Sequence, residues 1–72
     1  MDERERLNTL LEHWIKHNES HIKSYKEWVE KLKDSEFSEV SQKIEEAAKI
    51  TSRANEKIKE AKNLVGSDPA KA

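Results

Sequence analysis

The stretch LEHWIKHNESHIKSYKEW, residues 11–28, holds all three histidines, both tryptophans and the only tyrosine of the chain. Its large side chains recur at alternate steps of four and three residues, the heptad spacing of a helix that packs along one stripe. This spacing predicts an amphipathic helix over about residues 4–33. The expected seam consists of Leu7, Leu11, Trp14, Asn18, His21, Tyr25, Trp28 and Leu32.

A second helix with the same spacing is predicted from about residue 36 to residue 65. Asp34 and Ser35 interrupt the first pattern, and either side chain can cap the helix that follows. Gly66 is a natural helix-ending residue. The expected seam of the second helix is Phe37, Val40, Ile44, Ala47, Thr51, Ala54, Ile58, Ala61 and Val65.

Two helices of nearly equal length, joined by the short turn 34–35, must fold back on each other. The expected fold class is all-α, with an antiparallel two-helix hairpin over residues 1–66 and a flexible C-terminal tail over residues 67–72. Bulky side chains of the first helix are expected to pack against alanines of the second. The expected core includes the aromatic residues Trp14, Tyr25 and Trp28.

A lone hairpin would leave part of each apolar stripe in water. Ile15, Ile22 and Val29 sit one residue beyond the expected seam of the first helix, and Ile50 and Leu64 lie off the seam of the second. A twofold homodimer that forms a four-helix bundle would cover these side chains. We therefore expect a homodimer.

Length and charge restrict the classes of function. Seventy-two residues make one small domain with a marginal core, and the absence of cysteine excludes disulfides and thiolate metal sites. The 14 basic and 15 acidic residues nearly cancel, so neither half offers the basic surface that nucleic acid or an anionic membrane attracts. No apolar run is long enough to span a bilayer. We expect a soluble cytoplasmic protein that binds neither nucleic acid nor membrane.

An HWxxHNxxH motif occupies residues 13–21, and it is followed by Tyr25, Trp28, Ala47-Ala48 and Ala54-Asn55. Over residues 7–65 these features resemble a small helical domain of unknown function from archaea and bacteria. That domain occurs alone or attached to a CooT-like nickel-binding domain. The resemblance implies an all-helical hairpin and a connection to nickel or another transition metal, and it implies no reaction. The Asp34-Ser35 turn departs from the glycine-containing turn of that family.

The three histidines are candidate metal ligands. His13, His17 and His21 are successive i,i+4 neighbours, so two adjacent imidazoles can share one Ni²⁺, Zn²⁺ or Co²⁺ ion. The outer two lie ~12 Å apart along the helix axis, so the chelating pair is either His17 with His21 or His13 with His17. A complete site needs a further ligand from a second protomer or from a carboxylate. The candidate carboxylates are Glu19, Glu46 and Glu56.

The same stretch allows a purely structural interpretation. His21 is expected to be buried on the seam, where it would join Asn18 in a polar layer opposite Thr51 and Asn55. A buried asparagine can fix the register and oligomeric state of a helical assembly. Asn55 could also orient a ligating imidazole, so the structural and metal-binding interpretations are compatible.

Catalysis receives little support, because the sequence has no cysteine, no glycine-rich phosphate loop and no Glu-x-x-His metal motif. We expect a non-enzymatic protein: a small self-associating interaction module with a central His/Asn polar layer, accessory to metal handling and in contact with a metal-handling partner. The alternative is direct binding of a transition metal by the histidines of the first helix.

Overall fold

The computed structural model describes residues 2–66, which form two helices, α1 (Glu3–Leu32) and α2 (Ser38–Gly66). The two helices pack against each other as a hairpin, so the predicted all-α hairpin is confirmed. α1 begins and ends one residue earlier than predicted, whereas α2 begins two residues later and ends one residue later. Met1 and the predicted tail at 67–72 lie outside the described residues.

α1 begins at a capped end. The Asp2 carboxylate accepts a hydrogen bond of 2.9 Å from the backbone amide of Glu5, which is one of the N-terminal amides that have no partner within the helix. Glu3 and Glu5 lie in the first turn, where negative charge interacts favourably with the helix dipole. At the other end, the Lys33 amide donates to the Val29 carbonyl at 2.9 Å and closes the last turn.

The turn between the helices is held by Ser35, which is one of the two predicted capping residues. Its hydroxyl donates to the Leu32 carbonyl at 2.8 Å and accepts from the Phe37 amide at 3.0 Å. The Ser38 amide donates to the Ser35 carbonyl at 3.2 Å. These bonds hold several backbone groups of the turn, and α2 starts at Ser38, two residues later than predicted.

The side chains that join the helices recur at alternate steps of three and four residues. The buried and half-buried residues of α1 are Asn8, Leu11, Ile15, Asn18, Ile22, Tyr25, Val29 and Leu32. The matching seam of α2, also buried or half-buried, is Ser41, Ile44, Ala48, Thr51, Asn55, Ile58, Lys62 and Val65.

Half of the predicted seam is therefore wrong, because each helix is turned by roughly 50° from the predicted setting. Trp14 and Trp28 were expected in the core, yet they are 43% and 52% exposed. The physical reason is the closeness of the helices: the Ser41 hydroxyl of α2 reaches the Val29 carbonyl of α1 at 3.1 Å. An indole placed between the helices at this level would hold them apart.

The core of one hairpin is small. Leu11 and Ala48 are the buried apolar residues, each 5% exposed, and they are joined by the buried polar residues Ser41 and Asn55. The shortest extent of the Cα positions is 12 Å, so the hairpin is a single layer of helices with two broad faces. Neither α1 nor α2 has a segment long and apolar enough to cross a membrane.

Candidate functional site

One broad side of the hairpin carries large apolar side chains in contact with solvent, and we call it the apolar face. Such a concentration of exposed apolar groups on a small domain is typical of a surface that binds another macromolecule. Each of its large members is at least 40% exposed. They are Leu7, Leu10, Trp14 and Trp28 of α1 and Val40, Ile50 and Leu64 of α2.

Helical periodicity places the stripes of both helices on the same side. In each helix the exposed apolar stripe lies roughly 100° from the seam that contacts the other helix, in the same rotational sense about the chain direction. Because the helices run in opposite directions, equal rotations carry both stripes to one side of the hairpin. The small side chains of Ala47, Ala54 and Ala61 lie on this side as well.

The opposite side is charged, and we call it the charged face. It carries an ion pair that joins the helices, in which Lys59 Nζ lies 3.8 Å from a carboxylate oxygen of Glu19. At the end of α1, Lys33 Nζ lies 2.6 Å from a carboxylate oxygen of Glu30, and this hydrogen bond raises the pKa of Lys33 above its usual value. A shallow groove on this face is lined mainly by Lys26, Glu30, Lys33, Glu45, Lys49 and Ser52. The two faces thus differ sharply in polarity.

The histidines lie at the middle of α1, on and beside the apolar face. The Nε2 atoms of His17 and His21 are 2.9 Å apart, and the two rings meet edge to face with centroids 4.4 Å apart. His13 stacks on His17 with centroids 6.1 Å apart, and Tyr25 stacks on His21 at 5.9 Å. α1 therefore carries a continuous ladder of rings, in which only the His17–His21 step brings two imidazole nitrogens to this distance.

The prediction that His21 is buried is wrong, because its side chain is exposed. The same rotation of α1 that exposes the tryptophans moves His21 out of the seam and puts Ile22 in its place. The ring of His21 therefore meets His17 and Tyr25 of its own helix. It does not belong to the layer between the helices.

The polar layer between the helices contains two asparagines. The Asn18 amide donates to the Asn55 side-chain oxygen at 3.1 Å, and the Asn55 amide donates to the Ile15 carbonyl at 3.5 Å. Asn55 is 3% exposed, and Thr51 lies half-buried one turn away. Every buried side-chain nitrogen and oxygen among residues 2–66 has a hydrogen-bond partner. This layer fixes the height of one helix against the other.

Sequence reasoning missed Ser41. Its side chain is 3% exposed and forms the second hydrogen bond from α2 to the α1 backbone, at the Val29 carbonyl. The available signal was a small polar residue at a regular three-and-four step from Ile44 and Ala48. This spacing identifies Ser41 as a buried residue only when the rotation of α2 about its own axis is known.

Each of the three carboxylates that were predicted as possible metal ligands forms an ion pair with a lysine. Glu19 and Glu56 each approach Lys59 at 3.8 Å, and Glu46 approaches Lys43 at 3.3 Å. Within residues 2–66, no three or more histidine, cysteine, aspartate or glutamate side chains come close enough together to hold a metal ion. A single hairpin thus offers the His17–His21 pair and no third ligand beside it.

Comparison with known proteins supports a small domain of unknown function. Residues 7–65 match the family described as "Domain of unknown function (DUF8180)". An "Uncharacterized protein" of the archaeon Archaeoglobus fulgidus is 34% identical over 62 residues, which cover 86% of this chain and 98% of that protein. No solved structure matches the chain.

Proposed function

We propose that this chain, which belongs to the family described as Domain of unknown function (DUF8180), is a non-enzymatic, self-associating helical module. In this proposal two hairpins pack through their apolar faces and form a four-helix bundle. The observation that carries it is the collection of large apolar side chains on one side of a hairpin whose own core contains two buried apolar residues. Covering those side chains would add hydrophobic stabilisation that the small core of one hairpin lacks.

The size of the apolar face suits a second copy. The Cα positions span 56 Å by 21 Å, a plan area of roughly 1,200 Å², and a standard interface buries ~800 Å² on each partner. A second hairpin brings a face of equal length, width and composition, and a twofold interface needs such self-complementarity. The charged face remains in water and keeps the dimer soluble.

The spacing of α1 favours a particular twofold arrangement. The positions of α1 that lie on the apolar face are spaced symmetrically in the sequence about residue 19. This residue lies ~2 Å from the midpoint of the helix. When two α1 helices pack antiparallel about that level, both tryptophans meet small or apolar side chains. The resulting pairs across the axis are Leu10 with Trp28 of the partner subunit, Trp14 with Ser24 of the partner subunit, and His17 with His21 of the partner subunit.

α2 supports the same axis independently. Its outward positions are symmetric about residue 52, which pairs Ile50 with the partner's Ala54 and Val40 with the partner's Leu64. Within the hairpin, Asn55 bonds both Asn18 and the Ile15 carbonyl, so residue 52 lies at nearly the same height as residue 19. One twofold axis therefore satisfies both helices.

The experiment compares two glutamate substitutions on α2 by size-exclusion chromatography with light scattering. Ile50 is 65% exposed, so Ile50→Glu removes little packing from a single hairpin and leaves its helix content unchanged by circular dichroism. Covering this side chain is worth about 1.5 kcal/mol per chain. Its loss from both chains should weaken the dimer by roughly a hundredfold or more, and glutamate desolvation adds to this.

Ser52→Glu is the matched control, since it adds the same charge to the same helix on the charged face. Wild type and Ser52→Glu should elute with the mass of two chains and Ile50→Glu with the mass of one. A wild-type mass of one chain, or identical behaviour of the two variants, contradicts the proposal.

A second candidate function is direct binding of a transition metal by the histidines of α1. The observation that favours it is the 2.9 Å separation of the His17 and His21 Nε2 atoms. Imidazole nitrogens bind Zn²⁺ at ~2.0–2.1 Å, so one ion could bind both nitrogens at a separation close to the observed one. The stoichiometry of Ni²⁺ uptake by tag-free protein tests this function, and absence of uptake by the folded chain excludes it.

A further inference from the structure

We infer that the two copies of the proposed dimer share one late first-row divalent metal ion, held by His17 and His21 of both chains. This inference rests on the proposed function, since the site is incomplete without the second copy. It deepens that function by giving the assembly a ligand, a stoichiometry and a coordination geometry. Four observations about the described residues carry it.

The first observation is the shape of the ligand pair. Two nitrogens bound to one ion at ~2.05 Å are ~2.9 Å apart when the angle at the metal is 90°, and ~3.3 Å apart when it is tetrahedral. The His17 and His21 nitrogens are 2.9 Å apart. The pair therefore suits neighbouring positions of a square-planar or octahedral ion. In the metal-free protein the same contact is a hydrogen bond in which one imidazole donates to the other.

The second observation is that a single hairpin does not complete the site. Glu19, the acidic residue nearest to the pair in the sequence, forms an ion pair with Lys59 at 3.8 Å. Within residues 2–66 no third histidine or acidic ligand joins the pair. His13 stacks on His17 at 6.1 Å and lies further round α1, away from α2 and from the apolar face. The missing ligands must come from outside the chain.

The third observation is the position of the pair on α1. His17 and His21 flank residue 19, the level at which the outward spacings of both helices place the twofold axis. The axis generates a second pair directly across, with His17 facing His21 of the partner subunit. Four imidazoles then surround one point, and neighbouring helices in a bundle lie 8–10 Å apart, a distance that two imidazoles bound to one ion can bridge.

The fourth observation is the chemistry around that point. Four neutral imidazoles are borderline-soft nitrogen ligands, which favour Ni²⁺, Cu²⁺ and Zn²⁺ over Mg²⁺ or Ca²⁺. An ion bound to both nitrogens at their 2.9 Å separation would hold them at an angle near 90°, which suits Ni²⁺ or Cu²⁺ better than Zn²⁺, because Zn²⁺ in structural sites prefers tetrahedral geometry. The histidines are flanked on the apolar face by Trp14 of α1 and by Ile50 and Ala54 of α2. These side chains would exclude bulk water from the site once the two copies meet.

The test is calorimetric titration of tag-free wild-type protein with NiCl₂ in a buffer that does not bind metal. The expected stoichiometry is one Ni²⁺ for two chains. His17→Ala and His21→Ala should each weaken binding by roughly a hundredfold or more, because a direct ligand contributes at least as much as the outer groups that support it. His13→Ala is the matched control and should bind as wild type. Circular dichroism verifies that each variant stays helical.

Light scattering on the same samples separates the possible failures. One Ni²⁺ per chain, or undiminished binding by the Ile50→Glu variant, would show a site within one hairpin and overturn the shared site. A dimer that takes up no Ni²⁺ would overturn the shared site and leave the proposed assembly intact. A wild-type chain that stays monomeric with and without Ni²⁺ would overturn both.

Discussion

Asn55→Ala tests the polar layer that sets the height of the two helices. The substitution removes the 3.1 Å bond from Asn18 and the longer bond to the Ile15 carbonyl, from a side chain that is 3% exposed. Losing the Asn18–Asn55 bond costs ~1 kcal/mol, and leaving the partner groups short of a hydrogen bond in a low-dielectric site costs a further ~1–2 kcal/mol. The higher helix propensity of alanine relative to asparagine offsets roughly 0.6 kcal/mol of this loss. The net loss of unfolding free energy is therefore about 1.5–2.5 kcal/mol.

Thermal unfolding followed by circular dichroism measures this loss. In a domain of this size 1 kcal/mol moves Tm by ~4–8 °C, so Tm should fall by roughly 6–20 °C. All samples need the same chain concentration, because dimerisation makes Tm depend on it. Asn63→Ala is the matched control, since Asn63 is an exposed asparagine of the same helix, and it should raise Tm slightly through helix propensity. Equal effects of the two substitutions would refute the role given to Asn55.

Two further predictions concern single hydrogen bonds. Ser41→Ala removes the 3.1 Å bond to the Val29 carbonyl and should lower the free energy of unfolding by ~0.5–1.5 kcal/mol, measured by urea titration; Ser52→Ala, an exposed serine of α2, is the control, and an equal effect there would contradict the assignment. Glu30→Gln should return the pKa of Lys33 toward its usual value, because the carboxylate hydrogen bond is the main cause of the raised pKa. Since that pKa is raised in the folded chain, any stability it contributes is complete at neutral pH and is lost as pH rises through the Lys33 pKa; an NMR titration of the Lys33 side chain checks this, and an unchanged midpoint in Glu30→Gln would contradict it.

The hairpin itself was predictable because its signals are local. The heptad spacing, the Asp34-Ser35 interruption and Gly66 are read from the sequence alone, and the helices end within two residues of the predicted bounds. The contact between Asn18 and Asn55 was also predictable from the sequence. Asn18 belongs to both the predicted and the observed seam, so it faces α2 in either rotational setting.

The rotational setting was not predictable from periodicity. At several levels two neighbouring residues are both apolar, as with Trp14 and Ile15 or with Trp28 and Val29. Each helix therefore has two overlapping apolar stripes, and either stripe could face the other helix. The choice depends on how closely the two helices approach each other, and the observed approach brings the Ser41 hydroxyl to the Val29 carbonyl. The misplaced rotation is also why His21 was expected inside the hairpin instead of on its surface.

This correction changes the interpretation of the histidines. In the predicted setting His21 would be an internal polar residue and would support the asparagines. In the observed setting the asparagines form the internal layer by themselves, and His17 and His21 lie on the surface beside exposed tryptophans. The histidine pair is therefore free to take part in assembly or in metal binding. The histidine motif and the link to nickel stay predictions.

Pairing of two hairpins through their apolar faces about the level of residue 19 can be detected by an isotope-filtered NOE experiment. The sample is a mixture of uniformly ¹³C,¹⁵N-labelled and unlabelled wild-type chains. Leu10 and Trp28 lie ~27 Å apart along α1, so any NOE between them must join two chains. We expect NOEs between Leu10 methyl protons of one chain and Trp28 indole protons of the other. Absence of intermolecular NOEs, or their appearance only at the charged-face residues Lys26 and Ser52, would contradict the account.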